Sequence, residues 1–523
     1  MTSVPGKQPS LVNRRDFLRR AAALGLSASA VGAFLAACGG TTPTATPAPT
    51  ARPSAAPSTG TAASPTSVLG GGAPSASASA AASAASSAAP AGSPTRPAAS
   101  TAPSSAPSTV ATPTTAGAST NIIKSSSGFK GTLQYWVLGY QANGANQTGK
   151  LMDGATAAFT KANPDIKVET TGYTGDQAGF TKLTQAVQGG SAVDMFRLPS
   201  DLLPLLVQDN LVAPIDDFLT PADKADIYAS LLQTVSVKGK AYAWPLWVPP
   251  VGLYMNLDVF KEKGIEPPLK GDLTYDKFLE IAKQLTFTRA NGEKVYGYSG
   301  GIDPGLVNTW PIILGDGALP LAADNTKYTW NTADGYSGLK KLADLWLVHK
   351  VTPPDFGSVT VADLATTFKK GVLAMYSEPS GSSSSYRADK VNFDVRAMPI
   401  GKSGRPITAG GIGLISVGAV KDKAKLTAAM DLGRYLTSGQ VNTDVPGFYL
   451  APGARKSVTV TDPIDKFTPL VESCYITPII AEWPQIRTIL HPYIQNAVFG
   501  KITVEEALNA PAKEVDGILA ARK

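Results

Sequence analysis

Residues 240–260 read Lys-Ala-Tyr-Ala-Trp-Pro-Leu-Trp-Val-Pro-Pro-Val-Gly-Leu-Tyr-Met-Asn-Leu-Asp-Val-Phe. An apolar, strand-like run reaches Trp244 and Trp247, stalls at Pro249-Pro250 and resumes at Val251. Paired prolines lack amide donors and fix φ, so a sheet does not run through them undisturbed. A crossover between two bodies fits better, with two indoles beside it: a hinge under a ligand cleft.

Strand and helix alternate before this stretch. Leu133–Leu138 reads as a strand, with Tyr140 and Gln141 in the loop after it. Leu151, Ala155, Ala158 and Phe159 recur at helical spacing until Asn163-Pro164 stops them. A second strand is expected at 166–170, a helix at 177–189 and a third short strand at Val193–Phe196. This alternation predicts an α/β layer whose strand ends face a crevice. Beyond the crossover, Thr274 caps a predicted helix, strands are expected at 296–299, 373–376 and 393–399, and Ser380–Ser385 reads as a polar loop. Gly410-Gly411 precedes a further apolar run, and residues 483–519 are mostly helical by pattern.

The first quarter of the chain differs in kind. Arg14-Arg15-Asp16-Phe17-Leu18-Arg19 followed by the apolar, small-residue run 21–37 has the form of a twin-arginine export signal. Leu35-Ala36-Ala37-Cys38 resembles the lipobox of bacterial lipoproteins, which implies Cys38 as a lipidated N-terminus anchored at the outer face of the cytoplasmic membrane. Residues 38–127 are Ala, Pro, Ser, Thr and Gly with almost no large apolar side chain, so they cannot bury enough surface to offset ordering. We read them as a disordered tether reaching roughly 50 Å root-mean-square.

Charge partitions the same way. Of the formal +7, the segments before residue 128 account for the whole excess, with eight bases against one acid, leaving 39 bases and 39 acids in the folded part. A neutral body gives no electrostatic case for nucleic acid. With Cys38 lipidated, Cys474 is left alone, and His349 and His491 are the only imidazoles. A zinc site, an intramolecular disulfide and a serine-nucleophile elbow are therefore not expected, and no cofactor is implied.

The pieces, in this order, resemble the extracytoplasmic solute-binding proteins of ABC importers, in the family of the maltose-binding protein. The resemblance spans roughly 133–519. It rests on Met255-Asn256-Leu257-Asp258-Val259-Phe260 with Pro245 before it, Val193–Phe196, Trp483-Pro484-Gln485-Ile486-Arg487 and Thr503–Leu508. It implies a type II periplasmic-binding fold of two α/β lobes, one from about 128–248 and 413–450, the other from about 252–410 and 455–523. Pro249-Pro250, Gly410-Gly411 and Tyr449–Pro452 would be the crossings. It further implies a monomer that is not an enzyme, takes a small solute, expected to be carbohydrate, and delivers it to the permease subunits in the membrane.

Carbohydrate clefts combine aromatic faces with amide, carboxylate and guanidinium groups. The candidates are Tyr140, Gln141, Trp247, Asn308, Trp310, Gly411, Trp483 and Arg487, with Arg487 one turn from Trp483, and the resemblance adds Asp201 and Ser380. Trp136 and Trp244 are expected in the core. The sequence departs from the family's sugar site at Leu198, Pro249 and Ser380. The low charge of the crossings favours a neutral ligand. Against this stand a lipid-anchored glycoside hydrolase, which needs two facing carboxylates, and the same fold serving glycerol phosphate, a polyamine or a peptide.

Overall fold

A computed structural model describes residues 122–522 apart from 176, 190–192, 304 and 306, and the backbone alone at 177, 199 and 201. The export signal with Arg14 and Arg15, Cys38 and the tether as far as residue 121 lie outside the described residues.

Strand β1 (Gly131–Leu138) buries Leu133, Tyr135 and Val137 on one face, as its alternation requires. The helix Gln147–Ala162 carries the chain back: Asn146 caps it by accepting from the Gly149 amide, and its buried face includes Leu151, Ala155 and Phe159. It delivers the chain to β2 (Ile166–Tyr173), parallel to β1. A second helix, Gln177–Gln188, leads to β3 (Met195–Pro199), parallel to β1 on its other side. After the small hairpin of β4 (Ser236–Val237) and β5 (Lys240–Ala241), β6 (Trp244–Trp247) closes the first stretch.

The second lobe begins with β7 (Val251–Asn256), every residue of which is buried, and Asn256 caps the helix Leu257–Lys263. Strands β8 (Phe287–Thr288), β9 (Lys294–Gly300), β10 (Leu373–Pro379) and β11 (Phe393–Arg396) complete its sheet, in the order β11-β7-β10-β9-β8. Then β12 (Thr408–Gly410) leads back to β13 (Gly413–Val417), which inserts antiparallel between β3 and β6. The first sheet is therefore β2-β1-β3-β13-β6, built from two separate pieces of chain. Each sheet has its own apolar core, Leu133, Tyr135 and Phe196 among others in the first lobe and Met255, Tyr298 and Trp330 in the second. The outer face of the second sheet carries a satellite of rings around Tyr254, with Phe368, Tyr376, Tyr386, Phe393 and Phe467 at centroid distances of 5.5–6.5 Å.

Chain crosses between the lobes at Val248-Pro249-Pro250 and at Gly411-Ile412. A bridge from Pro250 to Gly410 ties these two passages together, and β12 pairs in parallel with β14 (Cys474–Ile476) beside them. The third passage falls later than the expected Tyr449–Pro452. There the chain still belongs to the first lobe: Phe448, Tyr449, Ala454 and Val458 lie in its core, the Val248 amide donates to the Pro452 carbonyl at 2.9 Å, and the Ala454 amide donates to the Leu246 carbonyl at 3.0 Å. Val460 still packs on the first core and Phe467 is buried in the aromatic satellite of the second lobe, placing the passage between Val460 and Phe467. The first lobe also starts earlier than residue 128. Ile122 and Ile123 pack on its core, the Ser125 amide donates to Asn163 Oδ1 at 2.8 Å, and the Ser126 amide donates to Asp431 Oδ2 at 2.9 Å. Nor is Ser380–Ser385 a loop: it forms a 3-10 turn, Ser380–Ser382, and opens the helix Ser383–Ala388, held by Tyr386 in the aromatic satellite.

Candidate functional site

The two lobes and their crossings enclose a cleft of about 310 Å³. The first lobe contributes Leu138, Arg197, Leu198, Ser200, Trp247 and Gly413, which are strand ends or the residues just past them. The crossings add Pro249, Gly410, Gly411 and Ile412. The second lobe and the C-terminal segment supply Gly305, Val307, Trp310, Thr477, Trp483 and Arg487.

On the first-lobe side, Arg197 and Trp247 form a stack. The Arg197 guanidinium carbon lies 4.6 Å from the Trp247 ring centroid, within cation–π range. The pyrrole side of that indole packs against Gly413, where a Cβ would fall 2.3 Å from Trp247 Nε1. Only glycine allows β13 this approach. Burial lowers the Arg197 pKa, opposed by the phenols of Tyr135 and Tyr173, although a guanidinium stays charged throughout the ordinary pH range. The Tyr173 hydroxyl donates to the Arg197 carbonyl, fixing the backbone from which the side chain springs.

Across the cleft, Trp310 opens the short helix Trp310–Leu314, and Trp483 opens the long helix Trp483–Val498, each followed by a proline in the first turn, where no amide donor is needed. Their indoles meet edge to face at 5.9 Å, and Trp310 also packs on Trp330 at 4.7 Å. Trp483 is 1% and Trp310 7% exposed, so both show the cleft little more than an edge. Arg487 reaches the same wall, as the four-residue spacing from Trp483 predicts, and borders a smaller hollow with Asp303 and His491. Burial holds His491 below its ordinary pKa, with Asp303 opposing.

Of the residues singled out from sequence, Trp247, Trp310, Gly411, Trp483 and Arg487 come together at the cleft. Tyr140, Gln141, Asn308 and Ser380 are not among the described lining residues. Tyr140 donates its hydroxyl to Asp153 at 2.7 Å, which commits the phenol to its own lobe; burial, and after it that bond, pushes its pKa up to about 12. Gln141 is exposed outside the cleft lining. Asn308 is 1% exposed between Val307 and the Trp310 helix, and neither of its amide atoms has a described partner. Ser380 is fully buried at the end of β10, its hydroxyl without a described partner. Asp201 follows the lining residue Ser200 in a 3-10 turn. Trp244 is fully buried, as expected, but Trp136 is only partly so, with Lys182 Nζ 5.4 Å from its ring centroid.

Sequence reading missed Arg197, which adds a guanidinium on the first-lobe wall to the Arg487 it had named, while the crossing residues that line the cleft are uncharged. The position of Arg197 at the carboxyl end of a strand was the available signal, since open α/β sheets place ligands there. Among the described residues, no group of three or more His, Cys, Asp or Glu could hold a metal.

Residues 154–466, more than half of the chain, match the family model described as bacterial extracellular solute-binding protein. The chain belongs to this family. Like the family, the solute-binding protein described here is a binder rather than an enzyme, which removes the hydrolase alternative. Binding proteins of Brucella abortus and Brucella suis are 23% identical to it over 406 residues, covering 76% of this chain and 95% of theirs. Among solved structures it is similar to the cyclic α-maltosyl-1,6-maltose binding protein of Arthrobacter globiformis, with a TM-score of 0.63 and 18% identity over 75% of this chain and 99% of that one. The substrate-binding protein of Listeria monocytogenes in complex with cycloalternan gives 0.61 and 19%, covering 75% and 100%. The solute-binding protein of Thermotoga lettingae bound with α-D-tagatose gives 0.59 and 22%, covering 74% and 99%. These likenesses establish the two-lobed fold.

Proposed function

We propose that this solute-binding protein captures a sugar or oligosaccharide between its lobes and delivers it to an ABC permease. The cleft carries the reading: a stacked indole and guanidinium face a second guanidinium and two indole edges across a hinge of three crossing segments. Apolar walls with a few fixed hydrogen-bond donors suit a ligand with both C–H faces and hydroxyls. Three structural neighbours whose ligands are saccharides support the same class. Lobe closure would follow from ligand contacting both walls at once and so favouring the closed population. The protein would act as a monomer, held at the outer face of the membrane through lipidated Cys38, with the Ala/Pro/Ser/Thr-rich segment as its leash.

A calorimetric and thermal-shift screen of the full chain against mono- and oligosaccharides tests the ligand class. The expected result is saturable binding with a raised Tm for at least one saccharide; binding of peptides or polyamines and of no saccharide overturns it. For the anchor, Cys38→Ala is expected to release the exported protein from the membrane fraction, and full retention of that variant would refute lipidation at this residue.

A further inference from the structure

Resting on the saccharide reading above, we infer that the solute carries an anionic group, a carboxylate or a phosphate, and that Arg197 is the residue that receives it. Arg197 stands on the first-lobe wall of the cleft, and the described lining residues include no carboxylate. This local excess is not a sample of a generally basic surface, because the folded part carries 39 bases and 39 acids.

Arg197 also differs from several partly buried cations of this protein. Arg434 and Arg455 lie on Asp223 at 3.0 and 2.8 Å, and Lys341 and Lys425 pair with Asp316 and Asp194 at 2.5 and 2.7 Å. Among the described residues Arg197 has no such carboxylate; the groups acting on it are the Tyr135 and Tyr173 phenols and the Trp247 ring. A guanidinium removed from water without a counter-charge is unfavourable by itself and becomes favourable when an anion completes it.

The geometry suits recognition as well as attraction. Gly413 seats Trp247, and Trp247 holds the guanidinium plane, so Arg197 meets a ligand already oriented. Stacking uses the face of a guanidinium and leaves its N–H edge, the edge that matches the two oxygens of a carboxylate or phosphate. Gly411 has no atom within 4 Å of where a Cβ would stand, leaving open space at the crossing beside it. A uronate-containing oligosaccharide or a sugar phosphate has the required chemistry: an oxyanion for Arg197 and hydroxyls for the rest of the cleft.

The test is calorimetry of the full chain with matched ligands: neutral maltotriose, trigalacturonate, glucose 6-phosphate and inorganic phosphate. The expected result is that an acidic saccharide binds at least tenfold more tightly than the neutral one. Arg197→Gln should remove about ten- to a hundredfold of the acidic ligand's affinity, in line with a charged hydrogen bond, and should cost a neutral saccharide a clearly smaller factor. Arg197→Lys should recover part of the loss, because it restores charge without the planar fork. If Arg197→Gln does not fold, the wild-type ranking and its weakening by added salt decide the matter. Preference for trigalacturonate or for glucose 6-phosphate assigns the oxyanion. Neutral maltotriose binding as tightly as the acidic ligands overturns this inference and leaves the saccharide reading standing. Binding of inorganic phosphate alone, or of no saccharide of either charge, overturns both.

Discussion

Trp483 shows how one side chain can serve both core and cleft. Its spacing from Arg487 gives it a place in the wall, while 1% exposure and packing on Trp310 make it part of the second lobe's core. Trp483→Ala should therefore cost roughly 3–5 kcal/mol of stability in denaturant melts, as for other buried aromatics, and weaken ligand binding mainly by loosening that wall. A melt unchanged within 1 kcal/mol would contradict the core role. Glu378, at the end of β10, is 5% exposed and accepts a 2.7 Å hydrogen bond from the Ser382 hydroxyl. Burial raises its pKa, with hydrogen bonds opposing. A carboxyl with a raised folded-state pKa is more protonated in the native state, so the stability it supports is complete below the ordinary glutamate value and is lost as pH climbs through the folded value. Glu378→Gln should thus raise Tm at neutral pH, by roughly 2 °C if about 1 kcal/mol is recovered, and the gain should vanish in acid. A variant that melts lower at both pH values would show that the carboxylate is needed ionised.

Among the elements, the crossings are where sequence reading succeeded and where it failed, for different physical reasons. Pro249-Pro250 announces itself, since a proline pair breaks any ladder, and the Gly410-Gly411 pair marks a close approach. The third passage has no such break. The resemblance put it at Tyr449–Pro452, but the Pro452 carbonyl, which proline retains, pairs with Val248 and keeps the segment in the first lobe. The Ser-rich run after β10 read as loop because serine competes with helix; Tyr386, buried against Tyr254 at 5.5 Å, holds it in a helix instead. Arg197 was invisible for a related reason, since a single arginine in a short strand carries no local sign of whether its tip meets water or a cleft. Tertiary pairing decides each of these cases. The two glycines of the second passage make a matched test. A Cβ at Gly410 would come within 2.7 Å of the Pro249 carbonyl and 3.0 Å of Cys474 Sγ, whereas one at Gly411 meets nothing within 4 Å. Gly410→Ala should cost about 1–3 kcal/mol and Gly411→Ala within about 0.5 kcal/mol, measured by urea melts. Equal costs would mean that the crossings do not touch as closely as described.

At the scale of the molecule, each lobe has a sheet and a core of its own, and the first is assembled from separate stretches of chain. Such a body can move about its crossings without disturbing either core, the requirement for a hinge. The α/β alternation and its two-lobed consequence were legible in the order of strands, helices and proline breaks, and the family follows from residues 154–466. The ligand was less legible, because its chemistry depends on side chains brought from Arg197, Trp247, Trp310, Trp483 and Arg487 to one cleft. The claim that joins fold to function is closure on a saccharide, and small-angle scattering of the full chain tests it most directly. On addition of a saturating saccharide the account predicts a smaller radius of gyration at unchanged molecular mass. A saccharide that binds to saturation and leaves the scattering profile unaltered would contradict it.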